Sequence, residues 1–282
     1  LTRAVVFGAP DVVLLDLPQL SEDQPAHRPM VAAHAVPWPG EMAVFRSPST
    51  DGFNLLTTFG GRARIGTLVS DLYPGPTSRF DLGNALVVDM VSGTLESVTD
   101  LTLFGGANAL AVEAAPGKWE IVQAGVAELI ATGRYRLTRL LRGQRGTEAA
   151  IGNPTPAGAR VVILDTALAP LPIAEADLGL PWNWRIGPAA RSVSDASYTP
   201  LAFTPAGRGL VPFAPVHVAQ PWRTARSPGD LTIRWTRRSR ALVADAWEQV
   251  EVPLAEDLES YDVQILDGAA VKRTLASATT SV

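Results

Sequence analysis

Three observations predict an all-β fold. First, 24 glycines and 23 prolines break the 282-residue chain at short intervals. Few segments therefore avoid both for the roughly ten residues that an ordinary helix needs. Second, the pieces between the breaks are rich in Val, Leu, Ile and Thr, and many alternate apolar with polar residues. Third, turn pairs such as Asp51-Gly52, Ser92-Gly93, Thr132-Gly133 and Asp267-Gly268 stand between such pieces.

Residues 1–24 read as an extended connector with two strand-like pieces, VVF and VVLLDL. Residues 25–165 read as a β-barrel or sandwich-like domain. Its strand candidates are Met30–Val36, Met42–Ser47, Phe53–Phe59, ARIGTLVSDL, Ala85–Val91, TLESV and NALAVEA. The clearest hairpin joins KWEIVQAGVAELI to YRLTRLLRG through ATGR, although EIVQAGVAELI is also acceptable as a helix. In the second arm, alternation puts Tyr135, Leu137 and Arg139 on one face and Arg136, Thr138 and Leu140 on the other. ARVVILD (Ala159–Asp165) is nearly all apolar, as a strand buried on both faces would be.

Residues 166–212 are Pro- and Trp-rich and read as a small β subdomain or a structured connection. Residues 213–282 resemble an incomplete fibronectin type III module. Leu231, Ile233 and Trp235 would face inward on one strand, and Tyr261, Val263 and Ile265 on the next.

Composition narrows the chemistry. The chain is 46% hydrophobic and 18% charged, an ordinary globular balance. A net charge of −4 gives no global basic field for nucleic acid. With no cysteine, thiolate catalysis and Cys-based metal sites are excluded. His27, His34 and His217 lack the i, i+4 spacing of a helical metal site, and no cofactor is expected. The apolar start is broken by Arg3, Pro10, Asp11, Asp16 and Pro18, so it is neither a signal peptide nor a membrane span. Leu1 in place of Met suggests a piece of a longer polypeptide.

G-x-S-x-G, Walker, G-x-G-x-x-G and H-E-x-x-H motifs are all missing, and no catalytic residue is assigned. Asp81, Asp89 and Glu96 fall near strands and read as surface or turn carboxylates. LAEDLE (Leu254–Glu259) lacks the ligand spacing of a calcium loop. Trp38, Trp182 and Trp184 stand beside prolines. They are candidates for sugar stacking or interface contact, or else plugs at sheet ends. In Arg223–Arg240, alternation sends Arg234 and Trp235 to opposite faces, which argues against one nucleic-acid surface. Its arginines are expected to meet acidic neighbours such as EDLE.

The stretch LTRLLRGQRGTEAA (Leu137–Ala150) reads as a strand ending in a turn bracketed by Gly143 and Gly146. Arg139, Arg142 and Arg145 are then candidates for structural ion pairs, with Glu148 as one partner. Gly143-x-x-Gly146 only weakly matches the clamp of KH domains, which lies between two helices.

This stretch also carries a resemblance. YRLTRLLRGQRGTEAAI, with EIVQAGVAEL before it and GARVVIL after it, resembles a segment of the tail-tip, host-specificity proteins of alphaproteobacterial gene transfer agents and related siphophage-like tails. LLDLPQL, WPGEMAVFRSPSTDGFNLL, LFGGANALAV and LTIRWTRRSRALVADAWEQVEVPLAEDLESYDVQIL fit in the same order. The resemblance implies a structural, homotrimeric component of a tail tip or baseplate, in contact with other hub proteins and assembled in the bacterial cytoplasm. It implies a role in host-envelope attachment or penetration, with a surface glycan or receptor as target. A glycoside-hydrolase-like barrel of that family would lie upstream, so the chain itself is expected not to be an enzyme. Two competing readings are a carbohydrate-binding accessory module using the Pro-Trp pairs and, more weakly, a lone hydrolase.

Overall fold

A computed structural model of the chain describes residues 6–219, 232–241 and 252–282. The fold is all-β and divides into two compact units, Leu1–Leu210 and Val211–Val282.

In the first unit a three-stranded sheet orders β1 (Asp11–Leu15), β2 (Met30–His34) and β11 (Ala169–Pro170). Both of its faces are covered. Val13, Leu15, Met30 and Ala32 pack on Ile65, Ala111, Trp119 and Val162 on one side. Val12, Val31 and Ala33 pack on Met42, Val44, Trp184 and Ile186 on the other. Two buried faces explain why these strands read as apolar runs without alternation. Asp11–Leu15 is thus part of the middle layer and not of a connector.

One outer layer is a closed, antiparallel six-stranded barrel. Its strands are β5 (Ile65–Leu68), β6 (Leu86–Met90), β7 (Ala109–Ala115), β8 (Lys118–Ala131), β9 (Arg134–Leu141) and β10 (Arg160–Ile163), in the order β10-β5-β6-β9-β8-β7. Strands β7, β8 and β9 follow each other as hairpins. The connection from β6 to β7, through the short helix α1 (Asp100–Phe104), brings β9 beside β6, which is Greek-key order. Leu86, Val88, Leu110, Val112, Val122, Tyr135, Leu137, Val161 and Ile163 fill the interior. In β10, Val161 and Ile163 face into the barrel while Val162 faces the middle sheet, so all three are buried.

The other outer layer orders β13 (Thr199–Phe203), β12 (Trp182–Pro188), β3 (Met42–Ser47) and β4 (Asn54–Phe59). The Pro/Trp-rich segment therefore joins strands from residues 42–59 in one sheet, and the barrel takes only residues 65–163 of the stretch read as one domain.

Lys118–Ala131 is strand, not helix. Thr94–Val98, expected as a strand, is not one, although the Val98 N–H donates to the Gly125 carbonyl. The alternation expected in β9 fails after Thr138. Arg139 has φ +57°, in the left-handed region, and this shifts the side-chain phase by one residue. Leu140 consequently enters the core while Arg139 faces outward to Asp100.

In the second unit, β14 (Val216–Ala219) pairs with β15 (Arg234–Thr236), and β16 (Tyr261–Asp267) with β17 (Ala270–Ser277) around Gly268. Ile233 and Trp235 are buried as expected, and Trp235 meets Tyr261 edge-on at 5.0 Å. Tyr261 and Val263 are half-buried, but Ile265 is exposed, because only a small sheet lies against this strand among the described residues. Leu231 and most of the segment carrying Trp222 and Arg223 lie outside the described residues.

Candidate functional site

Arg142 follows the last residue of β9 and is fully buried. A buried guanidinium must find acceptors for its donors, because an unpaired charge in the interior is strongly unfavourable. Here Nε and Nη2 donate to the two carboxylate oxygens of Glu120 on β8 at 2.7 and 2.9 Å. Nη1 donates to Asp81 at 3.1 Å and to the Tyr73 carbonyl at 2.9 Å. Both carboxylates are themselves buried.

The carboxylates are satisfied in turn. Glu120 also accepts the Gly143 N–H at 3.1 Å. Asp81 accepts the backbone N–H groups of Gly83 and Asn84 and the Asn84 side-chain amide. Burial works against the charge of Asp81, but the Asn84, Arg142 and Gly83 donors outweigh it and hold its carboxyl below the usual value. Burial likewise opposes the charge on Arg142, and Glu120 and then Asp81 more than offset it, so its pKa lies above the ordinary one. The partner of Arg142 is thus Glu120 together with Asp81, and not Glu148.

The local backbone fits this arrangement. Gly143 has φ +57°, and a Cβ there would meet the Glu148 Cα at 2.9 Å. A Cβ on Gly75 would strike the Asp81 carboxylate. The Thr147 hydroxyl accepts the Ile121 N–H at 2.9 Å and donates to the Gln144 carbonyl at 2.7 Å, tying the turn back to β8. Arg145 donates to the Gln19 carbonyl at 3.0 and 3.2 Å, and burial lowers its pKa. Arg139 pairs with Asp100 at 2.7 Å and lies over the Phe80 ring at 4.3 Å. The three arginines of the stretch therefore hold three different segments: the loop after β5, the segment before β2, and α1.

The Arg142 cluster is closed to solvent, and four of the five guanidinium N–H donors are taken up by Glu120, Asp81 and the Tyr73 carbonyl. The barrel-end cavity of about 130 Å³ is lined by other residues, among them Arg64, Asn108, Leu137, Ile163 and Asp165. Among the described residues, no group of three or more His, Asp or Glu side chains could hold a metal.

The other sequence candidates separate. Asp89 does not join the Arg142 cluster and pairs with Arg134 at 2.6 and 2.7 Å. Trp184 is fully buried and donates its indole N–H to the Phe203 carbonyl at 3.1 Å, so no ring face is open to a sugar. That removes it as a glycan contact. Trp38 and Trp182 are half-buried against the same core. Arg46 covers the Trp182 ring at 4.3 Å and is held there by Asp177 at 2.8 Å. In the second unit, Arg237 and Arg240 meet Glu259 and Glu256 at 3.0 and 2.7 Å, and Arg238 lies over Phe213. These acidic residues of LAEDLES serve as ion-pair partners.

Sequence reading missed Glu120, and it took Asp81 for a surface or turn carboxylate although Asp81 is buried against Arg142. The signal for Glu120 was present: a lone carboxylate among Trp119, Ile121 and Val122 on an apolar strand needs a buried cation. His34, also buried, has its Nδ1 3.1 Å from the Ser92 hydroxyl. Burial and the nearby Arg62 lower its pKa. The Arg62 Nε and Nη2 lie 3.4 Å from the ring nitrogens Nδ1 and Nε2, respectively.

Residues 63–162 match the model of a family described as Rcc01698-like, C-terminal. The matched stretch is about a third of the chain and coincides with the barrel. That family name is linked to gene-transfer-agent proteins of the Rhodobacter type. No curated protein matches the chain. No helix among the described residues is long and apolar enough to cross a membrane.

Proposed function

We propose that the chain is a structural component of a phage-like tail tip, capping the tube or joining hub proteins, with a contribution to host-envelope attachment. The observation that carries this reading is the family match over residues 63–162, which contains the LLRGQRGTE stretch on which the resemblance rests. The Arg142 cluster favours it as well. The buried arginine of that stretch ties β8, β9 and the loop after β5 together, as a structural role requires.

Deletion tests the proposal. Particles from cells whose copy lacks residues 63–162 should have tails without a normal distal end and should fail to deliver DNA. Intact, infective tails from such cells would overturn it.

A further inference from the structure

We propose that β4 (Asn54–Phe59) pairs antiparallel with β4 of a second copy of this chain, joining two four-stranded sheets into one. The first support is the state of the sheet edges in the first unit. The barrel is closed and has none. At the far edge of the four-stranded sheet, Pro200 in β13 lacks an N–H, and Thr199 is tied to the Pro10 carbonyl at 2.6 Å. The β4 edge differs. Its sequence NLLTTF contains neither charge nor proline, and Asn54, Leu55 and Thr58 are exposed. Backbone groups of β4 that point away from β3 have no backbone partner among the described residues. Of the devices that blunt an edge, β4 has only a bulge at Leu56. An unpaired ladder of this kind is complementary to another strand.

The choice of a second copy, and of the antiparallel sense, rests on charge. Pairing β4 with itself about its centre sets Asn54 opposite Phe59 of the partner and Leu56 opposite Thr57. Continued outward, the same register brings Asp51 of each copy toward Arg62 of the other. Both residues are exposed, and among the described residues neither forms a salt bridge within its own chain. A parallel pairing would instead oppose Asp51 to Asp51. The contact is twofold and isologous, so it is independent of the threefold packing implied by the resemblance and does not rest on the tail-tip reading.

Sedimentation velocity of the whole chain, over a concentration series up to roughly millimolar, tests the proposal. A monomer–dimer equilibrium is expected. Leu55→Lys should abolish it while leaving the circular dichroism spectrum and Tm unchanged. Asp51→Arg and Arg62→Glu should each weaken dimerisation about tenfold, because twofold symmetry counts each lost pair twice. The double variant should restore it. Three results would overturn the proposal: a monomer at every concentration, association unaffected by Leu55→Lys, or no rescue in the double variant.

Discussion

The guanidinium of Arg142 and the carboxylate of Glu120 form a two-bond fork at 2.7 and 2.9 Å, with both side chains fully withdrawn from solvent. Such a fork links the end of β9 to the start of β8, and through Asp81 it also fixes the loop between β5 and β6. Losing one partner strands the other as a buried, unpaired charge, which costs far more than the net worth of the intact pair.

Arg142→Leu should therefore destabilise the first unit by about 3–5 kcal/mol. Arg142→Lys should recover only part of this, because an ammonium cannot make the planar fork. Equilibrium denaturation with urea measures both.

Glu120→Leu alone should cost a similar amount, yet Arg142→Leu combined with Glu120→Leu should cost much less than the sum. A double-mutant cycle should give a coupling of roughly 2 kcal/mol or more. Strict additivity would mean that the fork carries no cooperative energy.

Gly75→Ala should destabilise without touching any charge, since the new methyl would displace the Asp81 carboxylate from its donors. Gly143→Ala should do so as well, through both the left-handed φ and the contact with Glu148. Thermal unfolding should show a lower Tm for each, while Gly158→Ala, with open space at its Cβ, should suffer only the backbone penalty.

Acid should unfold the protein through its paired carboxylates. Arg134 holds the carboxyl of Asp89 below the usual value, and Asp177 is lowered by Arg46 and the Ala174 N–H against the opposing effect of burial. With Asp81, these are groups whose folded pKa lies below the unfolded one. Their stabilisation is complete above the unfolded value of about 3.9 and is lost as pH falls through the folded value. Tm should hold steady between about pH 6 and pH 8 and drop below about pH 4. Asp81→Asn should lower the plateau and flatten the acid limb.

Alternation in the sequence marks Tyr135 and Leu137 as core residues, because a strand of period two packed on one face leaves that imprint. It misplaces Leu140, because the left-handed turn of Arg139 is a backbone event with no hydrophobic signature. The turn at Arg142 is legible as structural, and Glu120 as a carboxylate in need of a cation, but the pairing between them is not. Glu120 and Asp81 lie 22 and 61 residues away in sequence, and nothing local selects them. The same holds for Trp184. Its PWNW setting suits a sugar platform and a plug at a sheet end alike, and only the pairing of β12 with Met42–Ser47 places the ring in the core. Trp184→Ala should accordingly cost about 3–5 kcal/mol of stability and change no glycan binding.

The most direct test of the proposed role is localisation. A small epitope inserted at the exposed β7–β8 turn, at Gly117, can be labelled with gold on purified tailed particles and imaged. Label is expected at the distal tip of the tail. Label on the head, along the tube, or absent from particles that contain every other tail protein would contradict it.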